Sequence, residues 1–194
     1  MKHPKSNLCV DYIIEYSKAK SPPEEDRICK KYEDILFTHF ENPDRLSEKD
    51  KRAGLNLCVA MSMFGRHPIF LGDYILQLCE ANADTLKNEC YMALATMENL
   101  GVLFEEKVQL FVWTDFLSAP DKLPALQYMS QTKANWAHAI SDPASELLQS
   151  VLRGLIDVLF LTEGSMKSKL VALKCMINFC AVLDTPASLD VLVG

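Results

Sequence analysis

Apolar residues recur along the chain at three- and four-residue steps, the spacing that gathers side chains on one face of an α-helix, and polar caps and turns punctuate them. Leu8, Tyr12, Ile13 and Tyr16 keep this step in a segment opened by Ser6 or Asn7 and running to about Lys20. Ser21-Pro22-Pro23-Glu24 reads as a capping box with proline at the first helical position, ahead of a stripe of Ile28, Tyr32, Ile35, Leu36 and Phe40. Asn42-Pro43-Asp44-Arg45 reads as a turn. Ser47 then caps a helix from about Glu48 to Phe64, which becomes sharply apolar after Lys51-Arg52 and is stopped by Gly65.

The punctuation continues to the end of the chain. Pro68 sits at the start of a helix to about Ala81, and Asp84 caps one from Thr85 to Leu100, with Gly101 at the left-handed stop. The run from Glu105 to Leu117 fits a helix, although its Phe, Val and Trp content also suits a strand. Pro120 and Pro124 precede one helix or two short ones from about Leu123 to Ile140. Asp142-Pro143 opens a helix to about Leu161 that Gly164 stops, Ser165 opens another to about Leu183, and Thr185-Pro186 starts a last one. These signals predict an all-α chain of about nine to ten helices with short connections.

Composition narrows the class. A chain of 194 residues, 49% hydrophobic and 24% charged, is one ordinary domain or two small ones with enough apolar material for a core. Only 7 Gly and 9 Pro weigh against a turn-rich sheet protein. Twenty basic against 26 acidic residues, a net charge of −6, oppose binding to phosphates, so no nucleic-acid partner is expected. Residues 1–54 are balanced at 11 and 11, whereas 55–164 hold 6 basic and 13 acidic groups. A face in that middle region would favour a basic or amphipathic partner and lose affinity with salt.

Seven cysteines, an odd number scattered through apolar stretches, read as reduced thiols and imply an intracellular protein, cytoplasmic or nuclear. Asp11 and Glu15 interrupt the start where a signal peptide would be apolar, and no apolar run approaches the ~20 residues of a membrane span. Gly-x-Gly-x-x-Gly, Gly-x-x-x-x-Gly-Lys, Gly-x-Ser-x-Gly and His-Glu-x-x-His strings do not occur. Cys175 and Cys180 are five apart, and His3, His39, His67 and His138 stand singly, so no metal, cofactor or catalytic residue is expected. Glu24-Glu25-Asp26 and Glu105-Glu106 read as first-turn acids that favour the positive end of a helix.

Tyr91-Met92-Ala93-Leu94-Ala95-Thr96-Met97-Glu98-Asn99-Leu100 shares its register with Leu170-Val171-Ala172-Leu173-Lys174-Cys175-Met176-Ile177-Asn178-Phe179 at an offset of 79 residues, twice about 40. Pro143 and Pro186, each after a capping residue, lie 43 apart. With these residues the chain resembles armadillo/HEAT helical-repeat proteins, whose repeats of about 40–47 residues end in a helix of this form. The resemblance implies a helical-repeat stack over 55–194, capped by a helical hairpin at 1–54 and packed with it as one domain, which continues beyond 194 if the chain is part of a longer protein. No Ala-Leu-Asn pattern marks a middle repeat near 101–140, and no clear Gly separates the helices of each unit.

That resemblance implies a non-enzymatic scaffold that takes a peptide or helix of another protein in a groove, with the amides of Asn99 and Asn178 holding the partner's backbone. Either Asn would otherwise bond its own neighbouring backbone. Trp113 and Trp136 are expected anchors if they lie on the surface, and core residues if they do not. Met61, Met63, Met92, Met97 and Met129 could line an adaptable groove or fill the core. Leu189 and Leu192 give the final segment an apolar face that implies either continuation in a longer protein or a partner that covers it. The alternative is a compact bundle acting as a homodimer or obligate subunit of a larger complex; an enzyme without a recognisable motif is the third reading.

Overall fold

A computed structural model describes residues 7–81, 85–132, 136, 145–160 and 165–183. Among the described residues the chain forms nine α-helices and no strand. They divide into two compact units, Met1–Leu103 and Phe104–Gly194. Residue 54, where the N-terminal hairpin packed on the repeat region was expected to end, lies inside a helix of the first unit.

The first unit holds α1 (Leu8–Lys18), α2 (Pro22–Glu41), α3 (Glu48–Met63), α4 (Leu71–Ala81) and α5 (Lys87–Asn99). Helix α3 is its centre and packs against the other four, with α1 and α5 as its largest neighbours. Thus α1, α3 and α5 lie side by side, while α2 packs on α1 and α3, and α4 on α3 and α5. This central position explains why Leu57, Cys58 and Met61 of α3 are fully buried. Tyr12 of α1 is also fully buried, edge-on to Tyr32 of α2 at 5.1 Å and to Phe64 at the end of α3 at 5.9 Å. Arrangements of this kind add to the burial of aromatic area.

Local chemistry sets the limits of α3 and α5. Ser47 and Asp50 form a reciprocal capping box, each side chain accepting the other's backbone N–H. At the far end Gly65, with φ +69°, turns the chain so that Arg66 N–H donates to Met61 O and Gly65 N–H to Ser62 O. Gly101, with φ +91°, repeats the arrangement, Val102 N–H reaching Met97 O and Gly101 N–H reaching Glu98 O. Both stops stand where the sequence placed them.

The capping box expected at Ser21 does not form. Pro23 has no N–H to offer the Ser21 hydroxyl, Glu24 N–H donates to Ser21 O at 3.0 Å, and the Glu24 carboxylate accepts from Lys20 N–H at 2.7 Å, one residue upstream of the cap. Helix α4 begins at Leu71, three residues after Pro68, whose carbonyl accepts from Leu71 N–H. The cap expected at Asp84 lies outside the described residues.

The second unit holds α6 (Glu106–Ser118), α7 (Leu123–Gln131), α8 (Glu146–Phe160) and α9 (Met166–Leu183). Helix α6 packs on α7 and α8, and α9 packs on the same two. The ambiguous run after Glu105 is helical: Val108, Val112, Trp113 and Phe116 are buried at a 3.6-residue period, which a strand cannot match. Its last turn is closed by Lys122 Nζ, which donates to Phe116 O at 2.6 Å and Leu117 O at 3.0 Å. Leu148, Val151 and Leu155 of α8 join this core with Leu126 and Met129 of α7. Expectations for the starts at Pro143 and Pro186, the stop at Gly164 and the final helix lie outside the described residues.

Candidate protein-binding groove

The two tryptophans belong to the core of the second unit. Trp113 and Trp136 are buried, with rings 5.9 Å apart. Trp136 Nε1 donates to Met129 O at 3.2 Å, and its ring meets Phe179 edge-on at 5.5 Å. As placed, neither presents a surface to a partner, so of the two expectations for them, surface anchor or core residue, the structure has the core one. They are the largest apolar groups available to a unit that must fill its own interior.

The amides separate as well. Asn178 is half-buried and its Nδ2 donates to Ser130 O of α7 at 2.8 Å, tying α9 to α7. Asn99 is exposed on α5, one turn beyond Thr96. The echo that paired them is uneven in packing: Ala93 and Ala172 are both buried, but Leu94 is fully buried while its counterpart Leu173 is exposed. Helix α5 is covered by both α3 and α4 over this stretch, whereas the Leu173 side of α9 is open. Leu189 and Leu192 lie outside the described residues.

An open trough of about 480 Å³ runs along the first unit where α3 and α5 lie side by side, with Asn7 and Cys9 from the start of α1 at its edge. Positions 52, 55, 56, 59, 60 and 63 of α3 face positions 89, 92, 93 and 96 of α5, one helical stripe against another. Ala60 and Ala93 are small and buried, so the floor is low, and the exposed Met63 and Met92 rise from opposite helices. Arg52 closes one end, its guanidinium 3.3 Å from both Glu48 and Glu89. Thr96 spends its hydroxyl proton on Met92 O at 2.7 Å. The lining is mostly apolar with a few polar groups, the make-up of a recognition groove.

Of the five methionines read as either groove lining or core, Met63 and Met92 line the trough, and Met61, Met97 and Met129 are fully buried. The amides at the trough are Asn7 at its edge and Asn56, which the sequence reading passed over, while Asn99 continues the Met92 and Thr96 stripe of α5 outside the lining. A signal for it existed. Helix α3 carries more apolar residues than one face can hold, so Val59 and Met63 fall outside the buried set.

Four of the thiols are held in the protonated form. Burial pushes Cys58 and Cys9 up from the ordinary thiol range, and Cys175 to about 12. A hydrogen bond with Cys79, then burial, raises Cys90. Each of these four stays protonated at neutral pH. Among the described residues, no three of His, Cys, Asp and Glu come together as a metal site. No helix there is long and apolar enough to cross a membrane. No protein-family model, curated protein or solved structure matches the chain.

Proposed function

We propose that the protein is a non-enzymatic scaffold that binds a helix or peptide of another protein along the α3–α5 trough, and that its helices are units of a short armadillo/HEAT-like repeat stack. The observation that carries the reading is the trough itself, an apolar channel between two neighbouring helices with a methionine on each side. Methionine is unbranched and polarizable, so these walls adapt to more than one apolar side chain. Asn56 in the lining, with Asn99 further along α5, supplies an amide that donates and accepts, the pairing a peptide backbone needs. The packing of α3 between α1 and α5, with α2 on α1 and α3 and α4 on α3 and α5, is the feature that favours the repeat reading. The Arg52 ion pairs at one end would fix a partner's direction.

Affinity capture under reducing conditions tests this, with wild type compared to a Met63→Asp, Met92→Asp double variant. Both side chains are exposed, so the variant should melt within a degree or two of wild type. Wild type should retain a defined set of proteins that the variant loses. Identical retention by the two forms would end the groove reading.

A further inference from the structure

Helix α9 is apolar on two opposite sides. Ala172, Cys175 and Phe179 face the interior of the second unit, where Cys175 Sγ donates to Leu126 O at 3.4 Å and the Phe179 ring meets Trp136. On the opposite side Met166, Leu170, Leu173 and Ile177 follow one another at four-, three- and four-residue steps, within about 60° of arc at 100° per residue. These four side chains are 47% to 72% exposed. The stripe covers three turns, about 16 Å. Its edges are basic: Lys169 flanks one side, Lys167 and Lys174 the other, and Met166–Leu183 contains no Asp or Glu.

We infer that this face of α9 docks a partner helix whose own apolar stripe is edged by Asp and Glu. A row of large apolar side chains on one exposed helix face marks a contact surface. Lysines on both edges select the sign of whatever approaches, because like charges held together at a contact repel. A second copy pairing through the same face would set lysines against lysines. An anionic bilayer would meet the whole chain at net charge −6, and the stripe has no aromatic residue to seat at a headgroup boundary. A short acid-edged helix meets chiefly the three nearby lysines, since charges beyond about 10 Å are screened. This site is separate from the trough of the first unit and stands without it.

The test uses the full chain and a synthetic helical peptide of about 15 residues, leucines along one face and glutamates at the edges, with a twin carrying lysine for every glutamate. By fluorescence anisotropy at low salt the glutamate peptide should bind at least tenfold tighter than its twin. The gap should narrow as salt rises from about 50 to about 500 mM. Leu170→Asp with Leu173→Asp should lower binding at least tenfold without moving the melting temperature. Should that variant not fold, Lys167→Glu with Lys174→Glu carries the test, since the preference must then invert to the lysine peptide.

Equal binding of the two peptides, or binding of neither, overturns the inference. So does a wild-type dimer that Leu170→Asp dissociates, or capture by phosphatidylserine vesicles in place of the peptide. Tighter peptide binding after Leu189→Asp with Leu192→Asp would also overturn it, by making the chain's own segment 184–194 the occupant.

Discussion

Tyr74 brings its hydroxyl against Gly54 of α3, so close that an added Cβ would collide with it, and His39 Nδ1 stands 3.4 Å from the same point. Both polar atoms are buried without a hydrogen-bond partner. The glycine is therefore a steric requirement in mid-helix. Gly54→Ala should cost about 1–3 kcal/mol in urea unfolding. Tyr74→Phe should cost little, because the hydroxyl it removes makes no bond, and in that background most of the Gly54→Ala penalty should vanish. Additive losses in the double variant would show that the crowding is not at this hydroxyl.

His39 also predicts a pH dependence. Burial holds its imidazole below the ordinary histidine value, with Asp50 partly opposing. The unfolded chain thus binds a proton first as pH falls, starting near 6.5. Stability should be fully present above that value and decline as pH drops toward the folded value. In His39→Gln the slope of stability against pH between about 7 and 5.5 should flatten. An unchanged slope would place the titration elsewhere.

At the scale of elements, helix limits were legible in the sequence because the groups that set them lie within a few residues of one another. Ser47, Gly65 and Gly101 do what local hydrogen bonding requires of them and the structure keeps all three, with Asp50 completing the capping box at Ser47. Ser21 shows the limit of that logic, since proline at the second helical position removes an N–H its hydroxyl could have taken. Ser47→Ala should therefore lower stability by about 1 kcal/mol, while Ser21→Ala should change it by only a few tenths. Thermal unfolding of the two variants measures the contrast, and equal losses would contradict the capping geometry. Helix α6 required the structure for another reason: β-branched and aromatic content and helical spacing pointed to different elements, and packing on α7 and α8 decided for the helix.

At the scale of the molecule, the division after Leu103 gives each unit its own core. The chain's two tryptophans both lie in the second unit, so their emission reports that core alone. Leu57 is fully buried in the first unit, and Leu57→Ala should cost about 2–5 kcal/mol there. In urea the transition followed by helical circular dichroism should shift more than the one followed by tryptophan emission. Equal shifts by both probes would mean that the chain unfolds as a single cooperative body.

The sequence by itself determined the helical class, most helix limits and the two glycine stops, because these depend on periodicity and on bonds spanning three to five residues. It also supplied the pool from which any binding surface would be drawn. Only the tertiary structure decided which members of that pool are buried: Trp113, Trp136 and Met61 went inside, while Met63, Met92, Leu170 and Leu173 were left at the surface. The physical reason is that α3 and α9 carry apolar residues on more than one face. A period of 3.6 identifies the faces but not the order in which neighbouring helices cover them.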